Sequence, residues 1–298
     1  VIIAAVLGAA AACSAQEADV WRTDFAHASL SKRPAIEARY TSAARTGFEI
    51  VAEDYHLAID LHAESGQRAR SLRVGGTGNA NAEVLSGSGI YLSMTDSVGT
   101  VYSSLNCIQP SRVNVYRRGP YYIETHWLDV QMTDAEGNHA PVKGEIIFYS
   151  YPERTHVGAV LHVTGPVSVR SARLVCEFDA ETFCTCDPAQ QETAGRRLND
   201  FALMKRAKGQ PSCALIYPVP GGVDEVAIEK KAGALAVSNL IYSSESHDGA
   251  PALWKEGDKP TAYFELMPLP SSEVSAEMEA EIDPLLSGSM TARSGRTL

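Results

Sequence analysis

A mainly β protein, folded as a large antiparallel two-layer sandwich and closed by a short C-terminal helix, is the fold class this sequence predicts. Three observations carry that expectation. Residues 55–62 (YHLAIDLH) alternate strictly, with Tyr55, Leu57, Ile59 and Leu61 on one face, as a half-buried strand requires. Residues 112–178 divide into five strand-like runs separated by turns rich in Gly, Pro, Asn and Asp, the pattern of an antiparallel meander. The runs are long enough to serve two large packed sheets.

The chain opens on residues 1–12, VIIAAVLGAAAA, uncharged and followed by Cys13-Ser14-Ala15-Gln16. A short apolar run closed by small residues reads as the end of a signal peptide. It falls short of the about 20 apolar residues that span a bilayer. Two cleavage readings stand for this segment, residues 1–15. In one, Ala10-Ala11-Ala12-Cys13 is a lipobox and Cys13 becomes an acylated first residue. In the other, Cys13-Ser14-Ala15 is a small-x-small site and the mature chain starts at Gln16. Both place the protein outside the cytoplasm, as a periplasmic, outer-membrane or cell-surface lipoprotein or as a secreted protein. With no Met and no basic segment ahead of the run, the chain is expected to begin inside its gene.

Residues 16–46 are polar and Ala-rich without clean periodicity, the composition of a tether. The sandwich is assigned to residues 47–286. Strand 55–62 turns through Glu64-Ser65-Gly66 into a second strand at 68–74, and 75–89, rich in Gly, Asn and Ser, reads as loop. The meander then runs through 112–116, 121–132, 143–151, 155–164 and 168–178. Its turn at Tyr151-Pro152-Glu153-Arg154 has Pro at the favoured second position. Residues 179–209 read as a polar insertion, and strands resume at 212–218, 225–228, 235–242 and 261–267. From residue 271, Val274, Met278, Ile282 and Leu285 form one apolar helical stripe. Residues 287–298 read as a flexible tail.

A formal net charge of −10 excludes a nucleic-acid surface built on clustered Lys and Arg, and equally a basic patch for anionic lipid. Membrane contact is expected only through a lipid anchor. After Cys13 the cysteines are Cys107, Cys176, Cys184, Cys186 and Cys213, an odd number that cannot pair completely within one chain. Cys184-Thr185-Cys186 lacks the second ligand pair of a structural zinc site and has no His beside it, so no metal is expected. A disulfide to Cys176 or Cys213 and plain buried thiols both stay open. Asp134, Glu136 and Asn138 fall short of a full calcium loop and read as a solvated hairpin tip. No phosphate loop, nucleotide fingerprint, HExxH or GxSxG motif is present, and no cofactor is expected.

Residues 55–74 (YHLAIDLHAESGQRARSLRV) resemble the opening hairpin of galactose-mutarotase-like supersandwich domains: a strand, an acidic-Gly turn, and a strand ending in Ser71-Leu72-Arg73. Arg117-Arg118-Gly119-Pro120-Tyr121-Tyr122 and Thr261-Ala262-Tyr263-Phe264-Glu265-Leu266 fit the same picture, so the resemblance covers residues 47–270. It implies a fold found in aldose epimerases, glycoside hydrolases and polysaccharide lyases, often as a non-catalytic part. The histidine and glutamate motifs of mutarotases have no counterpart here, and epimerase chemistry is not implied.

The best constellation lies on the strand at 121–132. Alternation puts Tyr122, Glu124, His126, Leu128 and Val130 on one face, and Tyr121, Ile123, Thr125, Trp127 and Asp129 on the other. Glu124 and His126 are same-face neighbours able to share a proton, and Glu145, Tyr149 and Tyr151 share a face of the next strand. His156 and His162 share a face of the one after, where histidines usually serve as hydrogen-bonded structure. The catalytic candidates are therefore His126, Glu124 and Glu145. Arg117, Arg118, Tyr121, Tyr122, Trp127 and Tyr149 are the substrate-binding candidates, because aromatic faces stack on sugar rings and charged forks bind hydroxyls or uronates. The reading is an exported, lipid-anchored sandwich that binds an oligo- or polysaccharide within a polysaccharide-processing system. A polysaccharide lyase or glycoside hydrolase is the first alternative, and a non-enzymatic envelope scaffold the second.

Overall fold

The structure, a computed structural model, describes residues 36–52, 54–62, 66–74, 82–179, 201–204, 212–216, 225–231 and 234–269. The chain first forms β1 (Ile36–Tyr40), β2 (Gly47–Ala52), β3 (Tyr55–Asp60), β4 (Arg68–Val74), β5 (Ala82–Glu83), β6 (Leu85–Asp96) and β7 (Val101–Ser103). The meander follows as β8 (Arg112–Arg118), β9 (Ile123–Thr133), β10 (His139–Ser150), β11 (Thr155–Val163) and β12 (Val167–Asp179). The last strands are β13 (Phe201–Met204), β14 (Ser212–Ile216), β15 (Glu225–Lys231), β16 (Ala234–Ser243), β17 (Ala252–Trp254) and β18 (Thr261–Leu269).

Pairing resolves these into two sheets. One runs β1-β2-β3-β4-β6-β12-β16-β15, with β5 beside β4, β7 beside β6 and β17 beside the start of β12. The other runs β8-β9-β10-β11-β18-β14-β13. Every ladder among the described residues is antiparallel, and β7 also touches β9 at Ser103 and Thr133. Period-two burial explains how the sheets stack. In β11, Thr155, Val157, Ala159, Leu161 and Val163 are buried while the residues between them are half-exposed. The apolar faces of both sheets meet in one core, where Ile50, Leu57, Leu92 and Leu174 join Trp127, Phe148, Val157 and Phe264. The expected two-layer sandwich is the observed fold.

Three boundaries move. β1 lies within the stretch assigned to the tether, yet Ile36 and Ala38 are buried and the strand pairs along its length with β2. β5 and the start of β6 fall in the expected 75–89 loop, and β13 falls in the expected polar insertion. The opening of β6, Leu85-Ser86-Gly87-Ser88-Gly89, has loop composition, but Gly89 meets a packing demand. It adopts φ 65°, and a Cβ there would sit 2.0 Å from the carbonyl oxygen of Ala69, so only glycine lets β4 and β6 approach. Cys107 is a buried thiol beside Gln67, and Cys176 is buried in β12. At the expected hairpin tip residues 135–139 are exposed, but Asp134 is buried and accepts hydrogen bonds from the Glu136 and Asn138 amides and the Asn138 side chain. The signal segment, tether residues 16–35, Cys184, Cys186, the helix from 271 and the tail lie outside the described residues.

Candidate functional site

The outward face of the second sheet carries the polar chemistry. Alternation in β9 buries Ile123, Thr125 and Trp127 and leaves Glu124 and His126 half-exposed on the opposite side. At Asp129 the backbone enters the left-handed region, φ 59°. Trp127 pairs with Ile146 and Val130 with Gly144, so Leu128 and Asp129 together oppose Glu145. This β-bulge reverses the alternation. Val130, expected beside His126, is instead fully buried in the core. A second register shift, in β8, leaves Tyr116 between the pairs Val115–Thr125 and Arg117–Glu124. The Tyr116 ring packs on the His126 imidazole with centroids 4.3 Å apart.

The three catalytic candidates come together. His126 Nδ1 lies 2.5 Å from Glu145 Oε1, and its Nε2 lies 2.9 Å from Glu124 Oε1. The imidazole thus has one carboxylate oxygen at each ring nitrogen, which fixes its orientation between the two strands. The row continues at both ends. His162 Nε2 sits 2.8 Å from Glu145 Oε2, and the Tyr122 hydroxyl donates to Glu124 Oε2 at 3.2 Å. Burial, then the neighbouring Glu124 charge, pushes the Tyr122 hydroxyl above the ordinary tyrosine value, which keeps it a donor.

Burial alone pushes the Glu145 carboxyl up, but hydrogen bonds and charge from His126 and His162 together outweigh it, leaving it below its ordinary 4.5. A carboxyl depressed on folding contributes stability above its unfolded value and loses it as pH falls through the folded one. Glu145→Gln should therefore destabilise the fold fully at neutral pH, and its difference from the wild type in urea melts should shrink as pH drops below about 4.5. A difference that persists unchanged to about pH 3 contradicts the assignment.

Beside this row, β9, β10, β11 and β18 form an open cleft of about 920 Å³. Tyr122, Tyr149, Tyr151 and Tyr263 wall it, Ile147, Gly158 and Val160 floor it, and Arg117, Glu124 and His156 line it. Register explains the gathering. Tyr149 lies opposite Glu124 and His156 across the two β10 ladders, His156 lies opposite Glu265, and Gly158 lies opposite Tyr263. Buried Glu265 forms ion-pair contacts with His156 Nδ1 and Arg154 Nε, each at 3.2 Å. Tyr151 packs between Tyr122 and His156, with ring centroids 5.2 and 5.8 Å away.

Of the binding candidates, Arg117, Tyr122 and Tyr149 line the cleft and three do not. Trp127 is fully buried and its indole N–H donates to Ser111 Oγ at 2.7 Å, so it belongs to the core. Arg118 lies opposite Ile123 and donates to the Ala38 carbonyl at 3.0 Å, turned toward β1 and away from Glu124. Tyr121 stands exposed in the turn before β9, outside the lining. Sequence patterning alone does not mark Tyr263, Glu265 or Gly158 as site residues. For Tyr263 and Glu265 the alternation Thr261, Tyr263, Glu265 is the local signal of a shared face.

No family model matches the chain. No curated protein matches it. Among solved structures it is similar to the galactosidase domain of an α-galactosidase–sucrose kinase, with TM-score 0.50 and 7% identity over 79% of this chain and 42% of that one. It is also similar to the YidC insertase, with TM-score 0.42 and 11% identity over 88% of this chain and 47% of that one. A galactose mutarotase related enzyme from Lactobacillus acidophilus matches with TM-score 0.41 and 11% identity over 74% of this chain and 97% of that one. The chain thus spans less than half the length of the first two. At such identities the likeness is one of fold alone, a large antiparallel β-sandwich.

Proposed function

We propose that this protein binds an oligo- or polysaccharide in the cleft over β9, β10, β11 and β18, as one part of a polysaccharide-processing system. The observation that carries the reading is the four tyrosines walling one open cleft together with Arg117, Glu124 and His156. Aromatic rings offer flat apolar faces to the C–H side of a pyranose, and their hydroxyls, with the charged groups, meet its oxygens. The fold likeness to a galactosidase domain accords with this. A retaining glycosidase places two carboxyls on either side of the scissile bond. Here Glu124 and Glu145 are turned onto one imidazole between them, which favours binding over that chemistry.

Tyr149→Ala should weaken glycan affinity by about 1–3 kcal/mol, the loss typical of truncating an aromatic anchor. Its melting temperature should hold, since Tyr149 is 36% exposed. Titration calorimetry against a broad glycan panel makes the measurement. If the wild type binds no glycan in that panel, the carbohydrate reading falls and an envelope scaffold takes its place.

The same proposal puts the protein outside the cytoplasm, anchored through an acylated Cys13. Expressed with its upstream signal, the chain should take up a palmitate analogue and partition with membranes, and Cys13→Ala should release it. A mature chain starting at unmodified Gln16 would rule the anchor out.

A further inference from the structure

We infer that the cleft is built for a neutral glycan of more than one sugar ring and discriminates against uronates. This rests on the carbohydrate reading above and deepens it. Arg117 is the one Lys or Arg among the described lining residues, and its Nε already lies 3.4 Å from Glu124 Oε2. Four other basic groups near the cleft are likewise paired: His126 between Glu124 and Glu145, His162 on Glu145, and His156 with Arg154 on Glu265. Lys143 lies across from His162 in the register, beyond the cleft lining. A uronate that reached for Arg117 would bring its carboxylate against Glu124, and like charges placed together oppose binding. A neutral sugar meets no such opposition, because tyrosine hydroxyls and an ion-paired Arg and Glu bond to hydroxyls without a net charge. The apolar floor of Ile147, Gly158 and Val160 suits a ring face, and about 920 Å³ lies near the upper end for a small-ligand site, which leaves room for several rings.

The test is calorimetric titration with gluco-, galacto- and manno-oligosaccharides against galacturonate and mannuronate oligosaccharides of matched length. The wild type should bind a neutral member about tenfold or more tighter than any uronate, with affinity rising from mono- to trisaccharide. Arg117→Ala should weaken neutral and uronate binding alike and leave the preference for the neutral member in place. Glu124→Gln, which releases Arg117 from its carboxylate, should raise uronate affinity about tenfold. A wild type that prefers uronates, and loses them on Arg117→Ala, overturns the inference while the carbohydrate reading stands. Binding of no glycan by any form overturns both. Should Glu124→Gln fail to fold, the wild-type preference and Arg117→Ala decide the matter.

Discussion

Trp127→Ala should cost the fold about 3–5 kcal/mol, the range for removing a large aromatic side chain from a packed core. The sequence suggests Trp127 as a sugar-stacking residue, but the side chain faces the sandwich interior with 0% exposure. It lies opposite Val113 in β8 and Ile146 in β10, both buried, and its indole N–H donates to Ser111. Truncation removes the dispersion contacts of the ring, leaves a void between the sheets and strips Ser111 of its donor. For a domain of this size the loss corresponds to a fall in melting temperature of about 6–20 °C. Urea melts give the stability, and glycan titration below the transition gives the affinity, which should hold in the folded fraction. A variant that keeps its stability but loses ligand would return Trp127 to the site.

Gly158→Leu should do the reverse, abolishing glycan binding while leaving the fold in place. Gly158 lines the cleft, between Ile147 of β10 and Tyr263 of β18 in the register. A Cβ added there meets Tyr263 Cβ at 3.8 Å and Ile147 Cβ at 3.9 Å, ordinary contacts, so the backbone accepts a side chain. On that outward face the rest of the leucine has only the cleft to enter. It would fill part of the cleft beside Tyr263 and Ile147, and affinity should drop about a hundredfold or more. Gly158→Ala, which adds the Cβ alone, should behave nearly as the wild type. If Gly158→Leu binds normally, the ligand lies elsewhere on the molecule.

The pair formed by Glu124 and His126 was legible because same-face alternation is a local property of one strand. Glu145 followed from the next strand of the same hairpin. What the alternation missed hinges on single extra residues. The bulge at Asp129 sends Val130 inward, and Asp is among the non-glycine residues that enter the left-handed region most readily, so nothing in the composition announces it. The shift at Tyr116 puts Arg117 across from Glu124 and Arg118 across from Ile123, which separates two adjacent arginines that look equivalent in sequence.

By itself, then, the sequence determined the sandwich class, the meander from β8 to β12 and the local Glu–His pair, because period-two burial and turn chemistry act over a few residues. Tertiary structure alone decided the cleft. Its far wall is β18, brought beside β11 by pairing between segments distant in the chain, and that ladder sets Tyr263 against Gly158 and Glu265 against His156. It also decided that β6 is an interior strand despite its Gly and Ser, since the close approach of β4 and β12 on its two sides is a demand of packing that no local pattern expresses.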